Sequence, residues 1–524
     1  MQTFLFRCLV AGSVLLFNGF SGDAGPDRTA AKKSPLNVVF ISVDDLKPNL
    51  GCYGDTMAIS PNIDRLAEMG TLMRSSYCQQ AICAPSRISV FTGMRPDYTG
   101  VRDLRTHMRE ERPDILTLPQ YFMQQGYLAY GYGKLMHGAP GNDPSSWTEP
   151  VPVDGALKYA AGFEYPANGQ YQGDGPMEAF REAKSRGLSW GETNRYMKSN
   201  GVRPSTEFME VPDDAYRDGA IARAGVERLE ALAVSGQPFF LAIGLRKPHL
   251  PFAAPRRYYE MYAETEFDLA PFRKHAANAP EYAYTEWPEL RSYSDIPGEG
   301  GLTAEKQREL IRGYYSALSY ADAQVGKILR KLAALDLLDN TVVVLWGDHG
   351  WHLGDHGLWC KHTNFEEATR APLILYAPGY EGGQIGVSMS EFVDIFPTVC
   401  ELAGVPVPEG LHGKSLVPVM HDPGVHIKDY AVSQYPRWND RMGYTLRTER
   451  YRLTVWMKDG WIASEQLFVE DYVAEVEMYD YAEDPLETVS VAGTPAYKNM
   501  EAALMNYMKA FFSQSLREAK VADR

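Results

Sequence analysis

The chain has 524 residues, 45% of them hydrophobic, with 52 Lys and Arg against 67 Asp and Glu and a formal net charge of −15. That length exceeds one small core and suffices for a large catalytic domain with a smaller companion. The negative balance argues against nucleic acid as a partner, and it requires that an anionic substrate be drawn by a local positive site.

The first stretch reads as an export signal. Arg7 is the only charge ahead of the apolar run Cys8 to Phe20, and Gly22-Asp23-Ala24 supplies a small-x-small cleavage site. Residues 1–24 are therefore expected to be a signal peptide and the protein to be periplasmic or extracellular. The run is short for a membrane span, and no later stretch is long and apolar enough for one. Removal of the signal leaves Cys52, Cys78, Cys83, Cys360 and Cys400. Those are too few for a disulfide framework; one pair is allowed, with nothing to say which.

Asn37 to Val43 is a continuous apolar run, the mark of a strand buried on both faces, and it ends in Asp44-Asp45. Two adjacent carboxylates repel each other unless a cation sits between them. Ser60 and Pro61 open a helix, as a cap and a first-turn proline. Cys83-Ala84-Pro85-Ser86-Arg87 opens another, which Thr92-Gly93 stops after about two turns. Cys83 then lies where unpaired N–H groups and the helix dipole favour an anion, and Arg87 is one turn away. The plain alternative is a small buried cysteine before a capped helix.

Leu118 to Gln125 is the next helix and Tyr127 to Tyr130 the next strand, running on to Lys134 and His137. Residues 139 to about 210 lack periodicity and are read as insertions around a site mouth. A helix over Asp218 to Ala233 precedes the buried strand Pro238 to Leu245, which ends in Arg246-Lys247-Pro248-His249. The two prolines Pro248 and Pro251 stiffen that turn and aim Lys247 and His249. In residues 253 to 300, Tyr258, Tyr259, Tyr282, Tyr284 and Trp287 suit either sugar stacking or loop packing. Tyr314 to Leu335 is a long amphipathic helix. Thr341 to Trp346 is a buried strand ending in Gly347-Asp348-His349-Gly350, followed by Trp351, His352, Asp355, His356 and Lys361. The histidine spacing suggests zinc, but no further ligand is well placed. Asp44, Asp45 and Asp348 form a hard oxygen set better suited to calcium or magnesium.

Leu373 to Tyr376 reads as a strand and Glu391 to Gly404 as a helix kinked at Pro397. From about residue 426 short strands follow one another (Ala431 to Tyr435, Met442 to Thr448, Tyr451 to Met457, Glu477 to Asp480) before a helix opened by Thr494-Pro495. The expected architecture is α/β: a mostly parallel central sheet sandwiched by helices over 25–425, then a smaller antiparallel sheet plus helix over 426–524. Four strand ends supply Asp44/Asp45, Lys134/His137, Lys247/His249 and Asp348/His349. In open α/β sheets such ends build the functional crevice.

The run Cys83 to Gly93 resembles the sulfatase signature, Cys-x-Pro-Ser-Arg, two free positions, two apolar ones and Thr-Gly, with every fixed position met. Asp348 to Trp351, Asn364-Phe365, Ser433 to Arg437 and Tyr451 to Trp456 look like the iduronate-2-sulfatase branch of that family. The resemblance implies an alkaline-phosphatase-like sulfatase fold and a sulfated carbohydrate as substrate. It also implies that a formylglycine-generating maturation enzyme oxidises Cys83 to formylglycine. One calcium ion would be held by Asp44, Asp45, Asp348, His349 and the modified Cys83. Lys134, Lys247 and Lys361 would neutralise the sulfate, with Arg87 in the catalytic set and Trp351 and His362 at the substrate. One hydroxyl of the hydrated aldehyde would attack sulfur, His249 would protonate the leaving alcohol, and His137 would take a proton from the second hydroxyl. His362 departs from the branch, whose human member has a tyrosine there. Arg105, His107 and His362 are candidate partners for a sugar carboxylate. The same scaffold also suits phosphate or phosphonate monoesters, and a Cys83 left as a thiol would suit a secreted glycan-binding protein without activity.

Overall fold

The computed structural model describes residues 35–137, 142–437, 441–458 and 468–522. The export signal read at residues 1–24 lies outside them. In chain order the strands are β1 (Asn37–Val43), β2 (Thr71–Tyr77), β3 (Leu128–Gly133), β4 (Thr206–Met209), β5 (Phe239–Leu245), β6 (Phe252–Pro255), β7 (Thr341–Gly347), β8 (His352–Leu353), β9 (Trp359–Cys360), β10 (Leu373–Tyr376) and β11 (Gln384–Glu391). β12 (Tyr430–Pro436), β13 (Met442–Thr448), β14 (Tyr451–Met457) and β15 (Val473–Asp480) complete the set.

The central sheet has seven strands in the order β11-β2-β10-β7-β1-β5-β3. β7, β1, β5 and β3 are consecutive and mutually parallel, with Val43 opposite both Leu245 and Gly347, and Gly133 opposite Gly244. Their C-terminal ends therefore open on one edge, as the sequence predicts. β10 runs antiparallel to β7 and β2. β4 with β6, and β8 with β9, form two small ribbons beside the sheet.

Every residue of β1 is buried, and its alternation feeds two cores. Val39, Ile41 and Val43 face the long helix Ala304–Ala334 through Leu310, Tyr314, Leu318 and Val325. Val38 and Phe40 face Ile88, Val90 and Phe91 of the helix Cys83–Thr92 and Phe396 of the helix Ile395–Ala403. The reactive-residue candidate thus rides on a helix whose apolar face is sunk into the sheet. Gly93 ends that helix in the left-handed conformation, φ 67°, and a Cβ there would meet Leu411 at 2.8 Å.

The C-terminal strands pair antiparallel in the order β12-β13-β14-β15 and bury Leu446, Leu453 and Met478 against Leu504, Met508 and Phe512 of the helix Lys498–Ala522. Ser433 and Gln434 of β12 hydrogen-bond the backbone carbonyls of Cys78 and Gln79, just ahead of the signature helix.

Three sequence expectations need correction. The stretch 139–210 contains two helices, Asp174–Ser185 and Trp190–Ser199, and β4. Glu391 is the last residue of β11, and Pro397 lies in the first turn of the helix Ile395–Ala403, where its missing N–H has no partner to lose and no kink is needed. Ser60 precedes its helix without capping it, because its hydroxyl bonds Asp64. Among the described residues all five cysteines are free, and no helix is long and apolar enough to cross a membrane.

Candidate active site

Arg87 ties the strand ends together. Its guanidinium is fully buried and donates to Asp44 at 3.0 Å, Asp348 at 2.9 Å, Ser42 Oγ at 3.1 Å and the carbonyls of Lys134 and Leu135 at 2.7 and 3.0 Å. One side chain thus fixes the ends of β1, β3 and β7. Each of its three nitrogens has a partner and none of these is Cys83, so it positions the site instead of reaching toward the cysteine as its place on the helix had suggested. A buried charge with this many partners costs about 3–5 kcal/mol when one partner is removed.

Asp44 also accepts from Lys134 Nζ at 2.6 Å, and against its burial Lys134 and Arg87 hold it well below the usual carboxylate range. Asp45 is different. Burial, with Asp44 adjacent, pushes it well above that range although Lys361 Nζ stands 3.0 Å away. Asp45 also has a left-handed backbone, φ 59°, as have Cys360 and His362 nearby, a type of strain that gathers at functional sites.

Cys83 lies at the first turn of its helix, with Sγ 3.5 Å from His349 Nε2. Burial pushes its thiol up to about 11 in spite of Lys134 and Lys361, so at neutral pH the unmodified residue is not a thiolate. The helix N-terminus alone does not activate it. Ligand atoms of Asp45, Cys83, Asp348 and His349 lie within 4.8 Å of one another, and so do those of Asp44, Asp45, Cys83 and His249. His349 Nδ1 is engaged by the Gly350 carbonyl at 2.9 Å, which directs the Nε2 lone pair to the cluster. Three carboxylates and one imidazole around a raised Asp45 fit a hard divalent cation, which would relieve the repulsion. The zinc alternative loses its ligands: His352 is bound to Asp355 and Thr363, and His356 faces the Glu487 carbonyl.

Above this buried floor opens a cavity of about 1010 Å³, lined by Cys83, Lys134, His137, Lys247, His249, Lys361 and His362 among others. Burial, then the charges of Lys134, Arg87 and Arg246, lowers His137 to about 3, and its buried Nδ1 has no hydrogen-bond partner among the described residues. It is a neutral imidazole at neutral pH. Burial brings Lys247 down to about 7; its ammonium donates to the carbonyls of His249 and Pro251.

Glu289 was not singled out in the sequence, yet it links the group. It contacts Lys361 Nζ at 3.0 Å and His249 Nε2 at 3.2 Å, with His362 Nε2 at 4.0 Å. His249 Nδ1 meanwhile faces the Leu250 carbonyl. Burial and Lys361 push His249 well below the ordinary imidazole range, and against its own burial Lys361 holds Glu289 below the usual carboxylate range. The resting pair is therefore a neutral imidazole beside a carboxylate, and a proton taken up between them is readily given up. Nothing local marks Glu289 in the sequence, because it lies in an irregular segment far from any strand end.

Other expectations moved. Trp351 is fully buried beneath Lys361, whose ammonium is 4.8 Å from the ring centroid; it supports the lysine and does not line the cavity. His352 is likewise a packed residue. Tyr258, Tyr284 and Trp287 are buried in the core, and the aromatic residues lining the cavity include Tyr165, Trp190 and Tyr293. Arg105 and His107 do not line it, and His107 instead caps a short helix through Arg109 N–H. His362 does line it, but burial and Lys361 hold it well below the usual imidazole range, so it offers hydrogen bonds and not charge.

A cation-ready acidic floor under lysines and a helix-borne cysteine suits the hydrolysis of an ester of a strong oxyanion. Comparison with known families gives that class a name. The sulfatase model matches residues 36–405, and the chain belongs to the sulfatase family; it is a sulfuric ester hydrolase. A second model, the N-sulphoglucosamine sulphohydrolase C-terminal region, matches residues 354–514. The chain is similar to iduronate 2-sulfatase of Homo sapiens, 33% identical over 92% of this chain and 95% of that one, and to a sulfatase of Formosa agariphila, 29% identical over 89% and 85%. A solved sulfatase-fold structure in complex with its substrate D-glucosamine-2-N,6-O-disulfate superposes with a TM-score of 0.70 at 21% identity, covering 93% of this chain and 98% of that one. A phosphonate monoester hydrolase from Silicibacter pomeroyi gives 0.67 at 21%, covering 92% and 96%. At those identities the likeness is one of fold.

Proposed function

We propose that the chain removes a 2-O-sulfate from iduronate or a related uronic acid at the end of a glycosaminoglycan-like glycan, after export and after oxidation of Cys83 to formylglycine. The observation that carries the reading is the extended similarity to iduronate 2-sulfatase, matched in the site by a cationic cavity in an otherwise acidic chain. The cation implied is a single calcium, with Asp44, Asp45, Asp348 and His349 as its holders. It would supply charge for the sulfate oxygens, and the hydrated aldehyde would supply the nucleophilic hydroxyl.

The chain's own residues do the rest. Lys134 and Lys361, locked on Asp44 and Asp45, place positive charge at the sulfate without needing to reorganise. Lys247 adds a third cation, which a bound sulfate recharges. The His249–Glu289 pair holds the proton for the leaving sugar oxygen, and neutral His137 accepts a proton at Nδ1 or Nε2 as the product sulfate departs.

Hydrolysis of 2-sulfated iduronate against 2-sulfated neutral sugars at equal concentration tests the substrate. A preference of at least tenfold for the uronate is expected, because a site that pairs a carboxylate is left with unpaired polar groups by the neutral sugar. Equal rates, or activity on the neutral sugar alone, would reject the uronate. Paired aryl sulfate and aryl phosphate assays separate the sulfate reading from the phosphonate-hydrolase one.

A further inference from the structure

The cavity has a second pair of basic side chains beside Lys247. Arg217, the first residue of the helix Arg217–Ala233, is only 7% exposed and lines the cavity, and Arg246, directly after β5, lines it too. Both depend on one carboxylate: Asp154 Oδ2 is 3.2 Å from Arg217 and 3.5 Å from Arg246. Asp218, the other acid close by, has both oxygens occupied by the backbone N–H groups of Arg246 and Lys247. Asp154 and Asp218 both supply negative charge here, yet the Nε atoms of Arg217 and Arg246 are buried without a hydrogen-bond partner among the described residues, so each guanidinium keeps an unmet donor.

The backbone is arranged to hold the pair there. Arg217 lies flat on Gly169, where φ is 73° and a Cβ would fall 1.4 Å from Nη2, so any other residue would displace the guanidinium. Arg246 is fixed through Asp218 in the same turn that carries Lys247 and His249. A buried guanidinium donor kept without an acceptor is costly to the fold and is best explained by a ligand that completes it. At the same cavity Trp190 is 62% exposed, on the helix Trp190–Ser199, and presents an apolar ring where a sugar face can rest.

We propose that Arg217 and Arg246 form a second anion subsite, which takes a carboxylate or an additional sulfate on the sugar that carries the scissile sulfate or on its neighbour. The subsite rests on the sulfated-carbohydrate reading above and assigns the recognition of the second charge to Arg217, at a helix start, and to Arg246, beside Lys247 in the turn after β5. Planar guanidiniums suit either oxyanion, through paired N–H donors.

Binding to the Cys83→Ala protein, which cannot turn substrate over, isolates the subsite from catalysis. Three disaccharides serve as probes: a monosulfated neutral one, a monosulfated uronate and a disulfated neutral one. In that background Arg246→Gln and Arg217→Gln each leave Asp154 with one arginine, so the local ion pair survives. Each is expected to weaken binding of at least one dianionic probe about tenfold, with the monosulfated neutral probe changed less than about twofold, and Arg246→Lys is expected to restore part of the loss. The probe that loses affinity identifies carboxylate or sulfate as the ligand. Equal weakening of all three probes, or no weakening of either dianion, would overturn the subsite. If none of the sugars binds while the mature enzyme hydrolyses aryl sulfate, the carbohydrate reading falls and the subsite with it. If all three bind equally well before mutation, only the subsite falls.

Discussion

The edge of the β7-β1-β5-β3 sheet and the wall formed by residues 154–217 with Glu289 border the same cavity but are built in opposite ways. On the sheet edge most ionisable groups sit at or just beyond a strand end, and buried bonds to Arg87, Lys134 and Lys361 tie the carboxylates down. On the wall, charges come from irregular segments, a helix start and the turn after β5, and the Nε donors of Arg217 and Arg246 have no hydrogen-bond partner among the described residues. A closed, self-neutralised cluster suits chemistry common to any sulfate ester. An open wall with unmet donors suits the choice among esters.

Mutations can break that contrast. The largest effect is expected from Cys83→Ala, a fall in kcat of about 10⁵-fold or more with the melting midpoint little changed, as for loss of a nucleophile. Next, Asp348→Asn should lower kcat about 10²–10³-fold together with bound calcium read by metal analysis. Full activity with stoichiometric zinc and no calcium would reject the oxygen-site assignment. Glu289→Gln removes the carboxylate that shares the His249 proton. It should cost about 10²-fold on sugar sulfates and far less on an aryl sulfate, whose leaving phenolate needs no proton. Equal losses on both would give Glu289 a purely structural part.

Smaller effects sharpen the picture. Burial places Lys247 at about 7, so it loses its proton above that pH and KM should rise there, while Lys247→Arg should flatten the rise. Stability carries the opposite sign. The unfolded chain binds the extra proton between about 7 and the ordinary lysine value, so this group's contribution to stability improves as pH increases through that window. Trp190→Ala should raise KM for oligosaccharides about three- to tenfold and leave small aryl sulfates unaffected.

The same contrast explains what could be read from the sequence. Runs such as Asn37–Val43 and Thr341–Gly347 announce parallel strands, and an ionisable pair at the end of each one then has a single place to go. Register did the rest: strands in parallel register deliver Asp44, Lys134, Lys247 and Asp348 to one edge without any long-range knowledge. Arg87 was assigned to the catalytic set and Trp351 to the substrate because their residue types fit those parts, but types do not reveal burial, and both hold other groups in place. Arg246 was read at its strand end and passed over beside Lys247, while Glu289 and Arg217 were missed as site residues for the converse reason. Their roles depend on which loops fold over the sheet edge, and neither periodicity nor spacing encodes that. The helices Asp174–Ser185 and Trp190–Ser199 escaped notice because their apolar stripes are short and cover only a small local core.

The most direct test of the sheet-edge chemistry is the state of Cys83 set against activity. Preparations made with varying amounts of the maturation enzyme should be analysed by mass spectrometry of the Cys83 peptide and assayed on one aryl sulfate. Turnover is expected to rise in proportion to the aldehyde fraction and to vanish when the thiol is intact. Full turnover by protein whose Cys83 is entirely thiol would contradict it.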